Sequence, residues 1–404
     1  MVTLSGNSAN FFTNLAAGLF ILPYFLFSTT AGQMADSYDK AVLIRRIKLV
    51  EVLIMLMGCY SLYTLDLNLM LTTLFLLGLQ STFFGPLKYA IIPQHLQAHE
   101  LMAGNAQVGM GTFVSILLGT LIGGWLVTMS DGRLILGAAT VAVAALGWLS
   151  STAIPAAPPD ESNPPSWNPL RDAARNFSLA RKNRTVFYCI LSISWFWLFG
   201  SCFLTQVPNF SVTVLQGEPQ LISILLGAFI IGVAVGCLLC SRLSNNRVEP
   251  GIIPLGAIGL TLFAIDLYLS SSAYHSSLTS TAEISIIQFF REISGIHVFV
   301  DLILIGLFGG LFIVPLYAMI QERTDSGKRA RIIAVNNIIN AIFMVLGSVL
   351  GIICLAILDW TIPEFFLFTA FLNMAFTCFV FFQVPEFIER FKIWLTSNFR
   401  SSKE

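Results

Sequence analysis

Residues able to do chemistry are sparse in this sequence, and most sit near the ends of apolar runs. Gly32 and Asp36 stand four apart and so share one face of a helix end. Lys40, Arg45 and Arg46 follow, a basic stretch that by itself reads as a solvated loop. Lys88 lies between Gly85-Pro86-Leu87 and Tyr89; its ammonium can meet a phosphate or snorkel to a membrane interface. Asn105 and Gln107 lie near the start of one apolar run, and Asn336, Asn337 and Asn340 near the start of another. Asn336 and Asn340 share a face. An amide in an apolar span needs a partner. These side chains either bond neighbouring helices, at about 0.6 kcal/mol per bond, or line a cavity. Lys88, Tyr89, Asn105, Gln107, Asn336 and Asn340 are the candidates for such a cavity.

Catalytic and cofactor signals are missing. No G-x-x-x-x-G-K-[ST] run offers a cradle for ATP phosphates. The histidines, at 95, 99, 275 and 297, form no metal set, and no cofactor is implied. His297 and Asp301 are four apart, which does not match the H-x-x-x-x-D of glycerolipid acyltransferases. Cys237 and Cys240 make a C-x-x-C, but inside an apolar stretch, where small membrane-helix residues are the plainer account. Asp266 and Asp301 fall near helix ends. Burying either deep in lipid costs about 2.5–3.5 kcal/mol, which favours exposure at the interface. The pairs Gly119/Gly123, Gly232/Gly236, Gly306/Gly310 and Gly347/Gly351 are small-x-x-x-small seams that let helices approach closely.

Composition sets the elements that position these groups. Of 404 residues, 56% are hydrophobic and 11% charged, against about 25% charged in a soluble domain. Folding buries only about three quarters of a chain's surface, so a cytosolic globular enzyme is excluded. A disordered chain is excluded by the same composition. Lys+Arg and Asp+Glu balance at 22 each, so net charge gives no pointer to nucleic acid. Eleven apolar runs near 20 residues predict an all-α polytopic membrane protein. They lie at about 11–32, 49–66, 68–87, 103–128, 134–153, 185–207, 221–241, 251–270, 299–320, 332–357 and 363–383. The expected organisation is a five-helix bundle over 1–153, a Pro-rich and basic linker over 154–184, a six-helix bundle over 185–388 and a tail over 389–404. Residues 283–298 read as an amphipathic stretch suited to a membrane surface.

Charge orients the chain. The loops 33–48, 88–102, 154–184, 242–250 and 321–331 and the tail hold every Lys and Arg but Arg133 and Arg291. The positive-inside rule makes that side, and the C-terminus, cytoplasmic. Eleven helices then leave Met1 outside, and a further helix upstream of it would restore twelve.

The halves also repeat. PLKYAIIPQHLQAHELMAGNAQVGMGTFVSILLGTLIG, over 86–123, resembles PLYAMIQERTDSGKRARIIAVNNIINAIFMVLGSVLG, over 315–351. Pro86-Leu87 matches Pro315-Leu316, Asn105 matches Asn336, and Gly123 matches Gly351. Each copy runs helix, basic loop, helix, so the repeats are parallel, as in major facilitator transporters.

The stretch Gly32-Gln-Met-Ala-Asp36-Ser-Tyr-Asp39-Lys40, then Arg45-Arg46, resembles the major facilitator signature G-x-x-x-D-(R/K)-x-G-(R/K)-(R/K). Ser37 and Asp39 depart from it. AGLFILPYFLFSTTAGQMADSYDKAVLIRRIKLVE and LMAGNAQVGMGTFVSILLGTLIGG look like the bacterial lysophospholipid transporter branch of that superfamily. LIGLFGGLFIVPLYAMIQERTDSGKRARIIAVNNIINAIFMVLGS is closer to the transporter domain of bacterial fusion proteins, which also carry a phospholipid acyltransferase and an acyl-carrier-protein ligase. The resemblance implies that Gly32, Asp36, Lys40 and Arg331 form a cytoplasmic gate, with Asp36 on the N-terminus of the helix near Arg331, where a carboxylate gains about 0.3–1 kcal/mol. It implies a flippase in a bacterial inner membrane. That protein brings lysophospholipids to the cytoplasmic leaflet for reacylation by alternating access, with a separate acyltransferase and ligase as partners. Lys88, Asn105, Asn336 and Asn340 would meet the phosphate and glycerol. A proton-coupled exporter of drugs or metabolites is one alternative. A non-transporting membrane module that docks an acyltransferase is the other.

Overall fold

The computed structural model describes residues 6–159, 169–245, 247–277 and 283–401. Among these the backbone is nearly all helix, and the strand-like pairing is one isolated bridge between Gly217 and Ile284. In chain order the helices are α1 (Gly6–Ser37), α2 (Lys40–Thr64), α3 (Leu67–Ala90), the short α4 (Ile92–His95), α5 (Leu101–Val127), α6 (Gly132–Ser151) and α7 (Pro169–Lys182). Then come α8 (Arg184–Asn209), α9 (Pro219–Leu243), α10 (Ile252–Ser277), the short α11 (Ile286–Arg291), α12 (Ile293–Arg323), α13 (Arg329–Gly351), α14 (Ile362–Gln383) and α15 (Glu386–Ser401).

Eleven of these coincide with the eleven apolar runs, mostly extended at their ends. Ten are long and apolar enough to cross a membrane; α2, with Lys40, Arg45, Arg46, Lys48 and Glu51 in its first half, is outside that set. Local sequence fixes several starts. Asp39 caps α2 by accepting from the Val42 N–H at 3.0 Å. Asp66 caps α3 through Asn68 and Leu69, and Thr361 with Glu364 forms a reciprocal capping box on α14.

The polar connection between the two sets of long helices is not all loop. Its second part is α7, whose Asp172, Asn176 and Ala180 recur at i, i+4 and i+8 and are buried, with Arg171 and Arg175 outward. Pro164 and Pro165 lie outside the described residues. The amphipathic stretch expected at 283–298 divides into α11 and the first turn of α12, with Ile287 and Ile293 exposed.

Two compact units form. The first comprises Met1–His95, Ile122–Asn183 and Arg323–Ala341. In it α1 packs along α3, α2 packs on α3 and α6, and α7 lies on α1. Arg45 donates to the carbonyls of Ser151 (3.3 Å) and Ile154 (2.6 Å), placing a cation at the C-terminal end of α6, where the helix dipole favours one.

The second unit comprises Leu96–Leu121, Arg184–Glu322 and Ile342–Glu404. Its core is aromatic: Phe203 stacks on Phe366 (4.3 Å between centroids) and on Phe199 (4.7 Å), and Trp195 stacks on Phe376 (4.5 Å). Trp195 Nε1 donates to Asn373 Oδ1 at 2.8 Å, and Asn373 donates to Thr261 at 2.8 Å, tying α8, α10 and α14 together. Two of the sequence's glycine seams face one another. Gly232 and Gly236 on α9 meet the backbone of Ile303 and Leu307, while Gly306 and Gly310 on α12 meet that of Phe229 and Cys237. A Cβ at Gly119 or Gly123 would meet nothing within 4 Å, so that pair makes no such seam. Cys237 and Cys240 are free, buried thiols. The helix α15 occupies the expected tail: Arg390 pairs with Glu249, and Trp394 Nε1 donates to the Leu243 carbonyl at 3.0 Å.

Candidate functional site

In the first unit the last turn of α1 meets the first turn of α13. Asp36 is 4% exposed. Its Oδ1 accepts from the Ala330 N–H at 3.0 Å, and its Oδ2 accepts from the Arg331 N–H at 3.2 Å and from Arg331 Nε at 3.0 Å. The carboxylate thus satisfies two of the unpaired N–H groups that begin any helix and adds an ion pair. Gly32 makes the approach possible. A Cβ there would lie 2.7 Å from Ala334 Cβ and 2.9 Å from the Ala330 carbonyl, so any side chain would push the helices apart.

The loop ahead of α13 is braced to present those N–H groups. Arg329 Nε donates to the Thr324 carbonyl at 3.1 Å, and Arg331 donates to the Gly327 carbonyl at 2.5 Å. Lys328 bonds Asp325 at 2.7 Å, and that hydrogen bond, with the ammonium's charge, holds the Asp325 carboxyl below its usual range.

Lys40 is 1% exposed at the start of α2, and its N–H donates to the Ala157 carbonyl at 2.9 Å. Asp39 Oδ2 accepts from the Ala157 N–H at 3.2 Å, so the basic end of the signature anchors the segment after α6. Asp39 stands where the resembled signature has glycine, and its φ of −58° needs none.

Lys88 and Tyr89 close the C-terminal end of α3, with the Lys88 ammonium 4.8 Å from the Tyr89 ring centroid. One turn earlier Gly85 faces α13: a Cβ there would come 2.7 Å from the Asn337 amide nitrogen. Asn336 is fully buried, and among the described residues neither its Oδ1 nor its Nδ2 has a hydrogen-bond partner; the same holds for Nδ2 of Asn337. An unpaired buried amide costs about 1–3 kcal/mol. Asn340, one turn on, is half-buried.

Asn105 belongs to the second unit. It makes a reciprocal pair with Gln321 on α12: Nδ2 donates to Gln321 Oε1 at 2.6 Å, and Gln321 Nε2 donates to Asn105 Oδ1 at 3.0 Å. Asn105 Nδ2 also donates to the Leu101 carbonyl at 2.8 Å. Its amide is used for helix contact here. Gln107, about 200° further round α5, is exposed.

The structure therefore joins Gly32, Asp36 and Arg331, with Asn336 and Asn340 on the same helix α13 as Arg331, and Lys88 and Tyr89 on α3 near Gly85. It separates Asn105 and Gln107 into the other unit. Gln321 and the Arg45 cap escaped the sequence reading. A glutamine at the end of the repeated helix was the available signal for the first; a pairing across 216 positions leaves no local pattern. The repeat also has a packing counterpart. The first part of α5 lies with second-half helices, and its repeat mate, the first part of α13, lies with first-half helices.

A family model described as the Major Facilitator Superfamily matches residues 5–296. Among curated proteins, the chain is 26% identical over 356 residues to the lysophospholipid transporter LplT of Klebsiella pneumoniae subsp. pneumoniae, covering 84% of this chain and 78% of the relative. It is 28% identical over 352 residues to LplT of Escherichia coli O157:H7, with the same coverage. Among solved structures it resembles the E. coli fucose:proton symporter FucP (TM-score 0.69, 13% identity, 93% of this chain and 92% of that one). It also resembles a bacterial homologue of the iron transporter ferroportin (TM-score 0.64, 14% identity, 94% and 90%). At such identities the structures speak for the fold alone.

Proposed function

The chain belongs to the Major Facilitator Superfamily, and from that premise we propose that it carries lysophospholipids across a bacterial inner membrane to the cytoplasmic leaflet, where they are reacylated. The substrate assignment rests on the curated relatives, which carry that activity in their names and align over most of the chain. Spans with so few charges suit a cargo with an acyl tail.

One observation carries the mechanism: the Asp36 carboxylate seated on the N-terminus of α13. In this reading it latches the cytoplasmic side of an alternating-access cycle between the halves 1–153 and 185–388. A carrier needs both of its states populated, so its latch should be worth a few kcal/mol and no more. Two backbone hydrogen bonds and one part-exposed ion pair fall in that range. Gly32 sets the distance, Arg331 supplies the charge, and Lys40 fixes the start of α2. Asn105 and Gln321 form a further polar contact between helices of the two halves. Lys88 beside Tyr89 receives the phosphate, and the amides of Asn336 and Asn340 receive the glycerol hydroxyl. The C-terminus faces the cytoplasm, where an acyltransferase and an acyl-carrier-protein ligase use the delivered lipid.

Direction is tested in cells that lack other lysophospholipid carriers. Labelled lysophosphatidylethanolamine supplied outside spheroplasts should appear as diacyl lipid only when the chain is expressed. Equal conversion without it rules out the inward direction.

A further inference from the structure

Two carboxylates and an imidazole that the transport reading does not use meet in the second unit. Asp266 comes from α10; His297 and Asp301 come from one face of α12. His297 Nε2 stands 3.1 Å from Asp266 Oδ2 and 3.8 Å from Asp301 Oδ1. One ligand atom from each of the three lies within 4.8 Å of the others. Asp301 is 1% exposed, and Ser270 Oγ donates to its Oδ2 at 2.7 Å. The His297 and Asp266 side chains are 47% and 38% exposed, so the cluster is reachable from outside the protein.

Histidine spacing along the chain hides this set because its other two members are aspartates, one of them on a different helix. With both carboxylates ionised the cluster's charges do not balance: they carry two negative charges, and one imidazole returns at most one positive. The excess falls partly on Asp301, whose burial makes an uncompensated charge expensive. A divalent cation removes it.

The geometry agrees. Metal bonds of about 2.0–2.2 Å to nitrogen and oxygen hold neighbouring donor atoms about 3.0–3.5 Å apart. The observed 3.1 Å falls within that spacing and the 3.8 Å lies just beyond it, an adjustment within reach of a carboxylate rotation. Ser270 fixes Oδ2 of Asp301 and so turns Oδ1 toward the imidazole, the orienting part that outer hydrogen bonds play at metal centres. One imidazole with two carboxylates is a mixed nitrogen and oxygen set. It suits Mn2+ or Zn2+ better than Ca2+ or Mg2+, which take oxygen ligands. We propose that Asp266, His297 and Asp301 form a binding site for a first-row divalent metal ion that ties α10 to α12.

The site does not depend on the lysophospholipid reading, and its test needs no transport. The purified full chain, freed of any affinity tag and of chelator, is titrated with Mn2+ while free Mn2+ is followed by electron paramagnetic resonance. One ion per chain should bind, Zn2+ should displace it, and the thermal midpoint should rise with the metal. His297→Ala, at an exposed position, should weaken binding by about tenfold or more and abolish the thermal shift. His297→Gln and Asp266→Asn, which keep size, should do the same in monodisperse protein. Absence of stoichiometric binding, or binding that survives all three substitutions, overturns the proposal. Ca2+ binding as tight as Mn2+ overturns the assignment to a mixed donor set.

Discussion

Asp36 commits both carboxylate oxygens to α13, one of them to two donors. Replacing it by Asn removes the charge and leaves a single acceptor oxygen for three donors. The contact should weaken by about 1–3 kcal/mol. Ala334, buried against Gly32, reports on it. In an Ala334→Cys background, thiol labelling should rise on the order of tenfold when Asp36→Asn is added, since about 1.4 kcal/mol is a factor of ten. Unchanged labelling would show that Asp36 does not hold α13. At this scale spacing placed only Gly32 and Asp36 on one helix face; the contact with the helix near Arg331 was an expectation that the family resemblance implied. The partner of Asn105 was not legible, because an amide pair is set by tertiary contact. Nor does the run of amides at Asn336 and Asn337 say which one faces Gly85; each step turns the helix by about 100°.

The helices themselves follow from hydropathy, and their places depart from the apolar runs mainly at the ends, where caps such as Asp39 and Thr361 decide. The helix α7 was hidden because it is polar and follows a Pro-rich stretch, so its buried stripe of Asp172, Asn176 and Ala180 carries no apolar signal. Glycine spacing alone did not separate working seams from idle ones. The pairs on α9 and α12 press backbone on backbone, whereas Gly119 meets nothing. Gly236→Leu or Gly306→Val should therefore destabilise the protein by about 1–3 kcal/mol or more and lower its thermal midpoint in detergent. Gly119→Ala should leave the midpoint in place. Equal effects at the two kinds of site would contradict the seam.

Across the whole chain, 22 cations placed almost entirely on one set of loops set the orientation expected from sequence. The parallel repeat gave the family's architecture. Packing adds what neither contains: each compact unit borrows a repeat-related segment from the opposite half of the chain, at 101–121 and 329–341. Both borrowed segments begin beside a basic loop, and each is held by a polar contact, Asn105 with Gln321 and Asp36 with Ala330 and Arg331. That pairing is why the proposed cycle turns on these groups. The most direct measurement is lipid movement by the protein alone. The chain is reconstituted into vesicles carrying labelled lysophosphatidylethanolamine in both leaflets, and albumin extracts the outer pool over time. If the chain carries lysophospholipids with Asp36 as its latch, the protected inner pool becomes extractable in vesicles holding the protein, several-fold faster than in empty ones and more slowly with Asp36→Asn. An inner pool that stays as protected as in empty vesicles would contradict it.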